Sequence, residues 1–126
     1  MNVLFDCKVE NQEIWLRFTN ISSDTIALFS PCKTNTFIYI SNIDGIELMP
    51  QRMFRRAFNA KIFYLGNSDY KDFLAPYNLG ELFELENDQI YKIRVEYYIY
   101  EKGKSSKKFK AFVNLYGKNR NTCRWR

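Results

Sequence analysis

The chain contains no histidine in its 126 residues. Histidine titrates nearest neutral pH of all side chains and is the commonest metal ligand. Its absence excludes His-dependent triads, His–metal sites and imidazole acid–base chemistry. An enzyme would be left with carboxylates, Lys, Tyr or Cys. Cysteine is also scarce: Cys7, Cys32 and Cys123 show neither metal-ligand spacing nor a CxxC pair. A catalytic thiolate would need a base, usually His, to form it. A phosphate-cradling loop is missing too, because Gly103-Lys104-Ser105 lacks the upstream glycine of a P-loop. The carboxylates Glu81, Glu84, Glu86 and Asp88 cluster on a turn and strand edge, where solvated charge is the common outcome. The expectation is a non-enzymatic chain with no catalytic residues, no metal and no cofactor.

Long hydrophobic runs are absent as well. No stretch approaches the roughly 18 apolar residues that a membrane span needs. The start, Met-Asn-Val-Leu-Phe-Asp-Cys, lacks the basic residues and long apolar core of a signal peptide. It reads equally as a cytosolic chain or as a mature chain carrying an added Met. The length suits one domain able to bury its own core, and no repeat, low-complexity tract or linker argues for a second. Residues 1–126 are therefore expected to form a single domain.

What the chain has in quantity is aromatic surface, 17% of residues, within a hydrophobic content of 46%. Such side chains suit a packed β core and a protein-binding face. The net charge of +5 is uneven. Residues 92–126 hold 11 basic and 2 acidic side chains, a local +9, so the first 91 residues carry −4. A basic tail suits an anionic partner, and Lys on exposed strand edges also blocks edge-to-edge association.

Period-two alternation dominates and predicts strands. They are expected at residues 3–9, Glu13–Asn20, 25–29, 36–41, 46–49, 89–100, 107–116 and around 122–126. Asn11-Gln12, residues 20–24 and Asp44-Gly45 read as turns. In Glu13–Asn20, Ile14, Leu16 and Phe18 share one face. Along residues 89–100, Tyr91, Ile93, Val95, Tyr97 and Ile99 alternate with Lys92, Arg94, Glu96, Tyr98 and Tyr100, one set for the core and one for water or a partner. Residues 51–78 are the least regular: 52–58 reads as a basic strand or a helical turn, and 68–74 fits one helical turn capped by Ser68. The pattern predicts an all-β antiparallel sandwich of about seven to nine strands, with room for one short helix in 51–75.

Three segments carry a family resemblance. Leu16 to Leu28 resembles a "strand, Asn, polar turn, strand" opening. Leu79 to Leu85, followed by Tyr91 to Val95, resembles a Pro-Gly-Glu turn before a Tyr-bearing strand, although Asn78-Leu79-Gly80 stands where Pro-Gly is usual. Leu115 to Thr122 is similar to a Gly-containing bend before a last strand. Together they resemble bacterial immunoglobulin-like sandwiches of the intracellular proteinase-inhibitor type. The resemblance implies an immunoglobulin-like β-sandwich. Tyr91 would then stand at a tyrosine corner, or serve as plain core. In that arrangement Cys32 and Cys123 fall at the same end, which implies a Cys32–Cys123 disulfide closing a loop of about 90 residues. That bond would require an oxidising compartment such as a periplasm, which favours a periplasmic mature chain over a cytoplasmic one.

The expected function is protein binding, as a small inhibitor or immunity protein that occludes an enzyme or toxin with an acidic cleft. Tyr98 and Tyr100 beside Arg94 supply the residue types that dominate interface energetics. Arg52, Arg55 and Arg56 add cations from the irregular segment, and Lys102 and Lys104 from a turn; either region would serve as the plug. Two alternatives stand beside it. One is a structural or adhesion module in a larger assembly. The other is nucleic-acid binding through the basic last third, where Phe109 and Phe112 interleave with Lys107, Lys108 and Lys110 but, three apart in a strand, face opposite sides.

Overall fold

The computed structural model describes residues 2–50, 60–86, 89–101, 104–116 and 120–121, with backbone alone at 101, 104–106, 116, 120 and 121. The fold is all-β. Its strands are β1 (Val3–Glu10), β2 (Glu13–Asn20), β3 (Ile26–Phe29), β4 (Thr36–Asn42), β5 (Ile62–Leu65), β6 (Tyr70–Asn78), β7 (Ile90–Glu101), β8 (Lys104–Tyr116) and β9 (Arg120–Asn121). A single helical turn, α1 (Leu79–Leu82), follows β6. The strands form three antiparallel sheets, ordered β1-β2-β6, β3-β5 and β4-β7-β8-β9.

The alternation of the sequence is visible in the burial. Ile14, Leu16 and Phe18 on β2, with Ile93, Val95 and Tyr97 on β7, are sealed from water. Phe18 is the centre of the core. Its ring lies 5.0 Å from Phe5, 4.8 Å edge-on from Tyr97, 5.6 Å from Phe63 and 6.0 Å from Phe73. Phe18 thus ties all three sheets together. Phe109 closes the core from β8, stacked on Tyr97 at 6.2 Å.

The β3–β5 pair continues the β2–β6 pair past a break, and Asn20 is the joint. This carboxamide is fully buried. Its Nδ2 donates to the carbonyls of Asp24 (2.8 Å), Leu65 (2.9 Å) and Gly66 (3.1 Å). Its Oδ1 accepts from the Ser22 N–H and hydroxyl. A residue able to donate and accept satisfies backbone groups that a broken ladder leaves open. The "strand, Asn, polar turn, strand" segment therefore has a physical role.

Several local expectations match. Asn11 and Gln12 both adopt positive φ (52° and 64°), the geometry of a two-residue hairpin turn, and Gly45 (φ 82°) turns the chain after β4. Tyr91 is buried, and its hydroxyl accepts the Glu86 N–H at 2.9 Å, which is the corner contact rather than plain core.

Others are corrected. The turn predicted at 68–74 is not helical: Ser68 sits at positive φ, and Tyr70–Asn78 is a strand paired with β2. Pairing with β2 outweighed the capping signal. Within 60–75 the chain is strand and turn, and the helical turn lies later, at Leu79–Leu82, capped by the Asn78 side chain on the Glu81 N–H. The return strand expected at 46–49 reduces to one bridge, Ser41 to Glu47. A short β9 at Arg120–Asn121 pairs with β8, while the last strand expected around 122–126 lies outside the described residues. No helix among the described residues is long and apolar enough to cross a membrane.

Candidate protein-binding face

Antiparallel register places directly opposed residues on the same side of a sheet. In the β4-β7-β8-β9 sheet, Phe37 opposes Glu96 and Tyr39 opposes Arg94 from β4. From β8, Phe112 opposes Arg94, Lys110 opposes Glu96 and Lys108 opposes Tyr98. One outward face therefore carries Phe37, Tyr39, Tyr98, Tyr100 and Phe112 among Lys92, Arg94, Lys108 and Lys110. Phe112 is 61% exposed and Tyr100 39%.

Glu96 lies at the centre of this face and is itself only 5% exposed. Its carboxylate accepts the Tyr98 hydroxyl at 2.8 Å. Arg94 Nε lies 2.9 Å from its Oε2 and Lys108 Nζ 3.6 Å from its Oε1. The Arg94 N–H is not aimed along that short contact, so it is an ion pair and not a directed hydrogen bond. Burial pushes the carboxyl up. The Tyr98 hydroxyl and the charges of Lys108, Arg94 and Lys110 outweigh it and hold Glu96 below its ordinary value. The hydrogen bond to Glu96, then burial, pushes the Tyr98 phenol up to about 12.

The rings are held by their neighbours. Tyr98 meets Phe37 edge-on at 5.5 Å and stacks with Tyr100 at 6.2 Å. Arg94 lies over the Tyr39 ring at 4.4 Å, and Lys108 over Tyr98 at 5.6 Å. At one end the Tyr100 hydroxyl donates to the Thr34 carbonyl, and the Tyr98 N–H to that of Asn35. Asn35 is buried, accepting from the Cys32 N–H and the Thr36 hydroxyl and donating to the Ser30 carbonyl, so the 30–35 loop is fastened beneath the face.

Of the residues expected to bind a partner, Arg94, Tyr98 and Tyr100 share this face. Lys104 lies on β8 in register with Glu101, with its side chain outside the described residues. Arg52, Arg55, Arg56 and Lys102 also lie outside them. Phe109 and Phe112 do face opposite sides, Phe109 against the core and Phe112 outward. Cys32 carries a free thiol, buried, with Sγ 3.1 Å from the Thr34 hydroxyl, and Cys123 lies outside the described residues. Sequence reasoning missed Phe37, Tyr39 and the organising role of Glu96. Strand alternation already sets Glu96 between Arg94 and Tyr98, but only the register brings β4 beside them.

The fold and this face define an all-β, sandwich-like chain with an aromatic and cationic outer surface. No family model, curated protein or solved structure matches it.

Proposed function

We propose that the chain is a non-enzymatic protein-binding module of the inhibitor or immunity type, docking through the outer face of β4, β7 and β8. The observation that carries this reading is the buried Glu96 carboxylate, which pre-orders Tyr98, Arg94 and Lys108 into a rigid amphipathic surface. Side chains ordered before contact lose less entropy on binding. Tyr and Arg anchors concentrate interface energy, and the exposed cations Lys92 and Lys110 favour an acidic cleft and speed association. The same surface suits single-stranded nucleic acid less well. The ring faces of Tyr39 and Tyr98 are already covered by Arg94 and Lys108, and a carboxylate sits at the centre. The resemblance to proteinase-inhibitor sandwiches is in keeping with this reading.

The test is affinity capture from a lysate of the source organism over a salt series, with nuclease-treated and untreated samples. A stoichiometric protein retained at moderate salt after nuclease treatment supports the reading. Retention of nucleic acid alone, lost steeply as salt rises, rejects it in favour of the basic last third.

A further inference from the structure

The outer face of the other large sheet already holds one guanidinium in a built site. Arg17 on β2 grips Asp72 of β6 with two hydrogen bonds, 2.7 Å from Nε and 2.9 Å from Nη2. Its guanidinium also lies 4.2 Å from the centre of the Tyr70 ring. The carboxylate supplies a planar bidentate partner and the ring a π face, the two groups that recognise arginine best. The hydrogen bond to Asp72, and then the charge of Asp72, raise the Arg17 pKa above its ordinary value against the opposing effect of burial.

Two and four residues back along the same face of β2 stand Trp15 and Glu13. They line an open groove of about 430 Å3 with Lys8, Glu10, Asn11 and Asp72. Here the same components recur without a guanidinium. Lys8 pairs with Glu10 at 3.5 Å and Arg17 takes Asp72. Glu13 has no ion pair or hydrogen bond from its side chain, and no ring or cation covers Trp15, among the described residues. Glu13 also sits directly opposite Glu10 across the hairpin, a like-charge pair that a bound cation would relieve. The groove opens where the β2–β6 register shifts between Glu13 and Trp15. That irregularity takes in Pro76, which has no N–H for the ladder, and such bulges recur beside binding sites.

We infer that this groove binds an arginine side chain of a partner protein, its guanidinium stacked on the Trp15 indole and hydrogen-bonded to the Glu13 carboxylate, as Arg17 is held by Tyr70 and Asp72. The site stands on the opposite sheet from the proposed docking face and does not depend on it. It gives the chain two chemically distinct contacts: a cationic aromatic face for acidic surface, and an acidic aromatic groove for arginine.

The probe is a short capped peptide with one arginine, acetyl-Gly-Arg-Gly-amide, titrated into the 15N-labelled full chain. The Trp15 indole N–H signal is assigned with Trp15→Phe. A saturable shift at Trp15 is expected, weakened at least threefold by Glu13→Gln and absent with the corresponding glutamate peptide. Glu13→Gln is a near-isosteric surface change, so the spectrum of the free variant checks that the fold is kept. No saturable shift, a shift indifferent to Glu13→Gln, or equal binding of the lysine peptide would overturn the inference.

Discussion

The Tyr98 hydroxyl donates to the Glu96 carboxylate from 2.8 Å, on the outer side of a strand whose other side is core. The two residues are two apart on β7, so the strand itself sets them side by side. Each stabilises the protonation state the other needs: a carboxylate wants a donor, and a phenol so engaged is slow to ionise.

That pair sets a pH dependence at both ends of the scale. Tyr98 in the fold ionises near 12, against an ordinary 10.0. Its contribution to stability is whole below pH 10 and is lost as pH rises through 12. Glu96 is held below its ordinary value of 4.5, so its contribution is present above that value and is lost as pH falls through the lower folded value. In Glu96→Gln the Tyr98 pKa should fall back toward 10, read from 13C-labelled tyrosine as the signal removed by Tyr98→Phe. An unchanged Tyr98 titration in Glu96→Gln would contradict the coupling.

Asn20→Ala should be among the most damaging single changes to a polar residue. It strands the carbonyls of Leu65, Gly66 and Asp24, at a cost of about 3 kcal/mol. Urea unfolding should show a lower midpoint with unchanged slope. A loss under about 0.5 kcal/mol would mean that Asn20 does not join the two strand pairs.

Phe18→Ala removes the ring on which Phe5, Phe63, Phe73 and Tyr97 converge and should cost about 3–5 kcal/mol. Phe112→Ala, with a ring mostly in water, should change stability by less than about 0.5 kcal/mol. Thermal or urea unfolding of the two variants side by side checks the contrast.

Cys7 and Cys32 are buried, so both should resist alkylation in the native protein. In denaturant without reductant, the free Cys32 thiol should label. If Cys32 labels only after reduction, the disulfide with Cys123 implied by the family resemblance forms after all.

Strand alternation made much of the fold legible. β1, β2, β4, β7 and most of β8 follow from period-two patterns in which a one-residue slip would bury charge, as at Ile14, Leu16 and Phe18. β5 and β6 escaped. Tyr70–Asn78 mixes exposed and half-buried residues on an interrupted ladder and contains Pro76, so its local pattern is weak and its pairing with β2 decides its form. The aromatic and cationic face was half legible. Arg94, Tyr98 and Tyr100 alternate on one strand, but Phe37 and Tyr39 arrive through β4 pairing, which no local pattern encodes. Trp15 and Glu13 were on view in the sequence, yet their groove exists only beside the irregular β6.

The most direct test of the proposed protein-binding face compares capture by the wild-type chain with capture by Phe112→Glu/Lys92→Glu, both changes on exposed side chains of that face. The account predicts that one stoichiometric protein held by the wild type at moderate salt is lost by the variant, with unfolding unchanged. Equal retention of that protein by the correctly folded variant would contradict it.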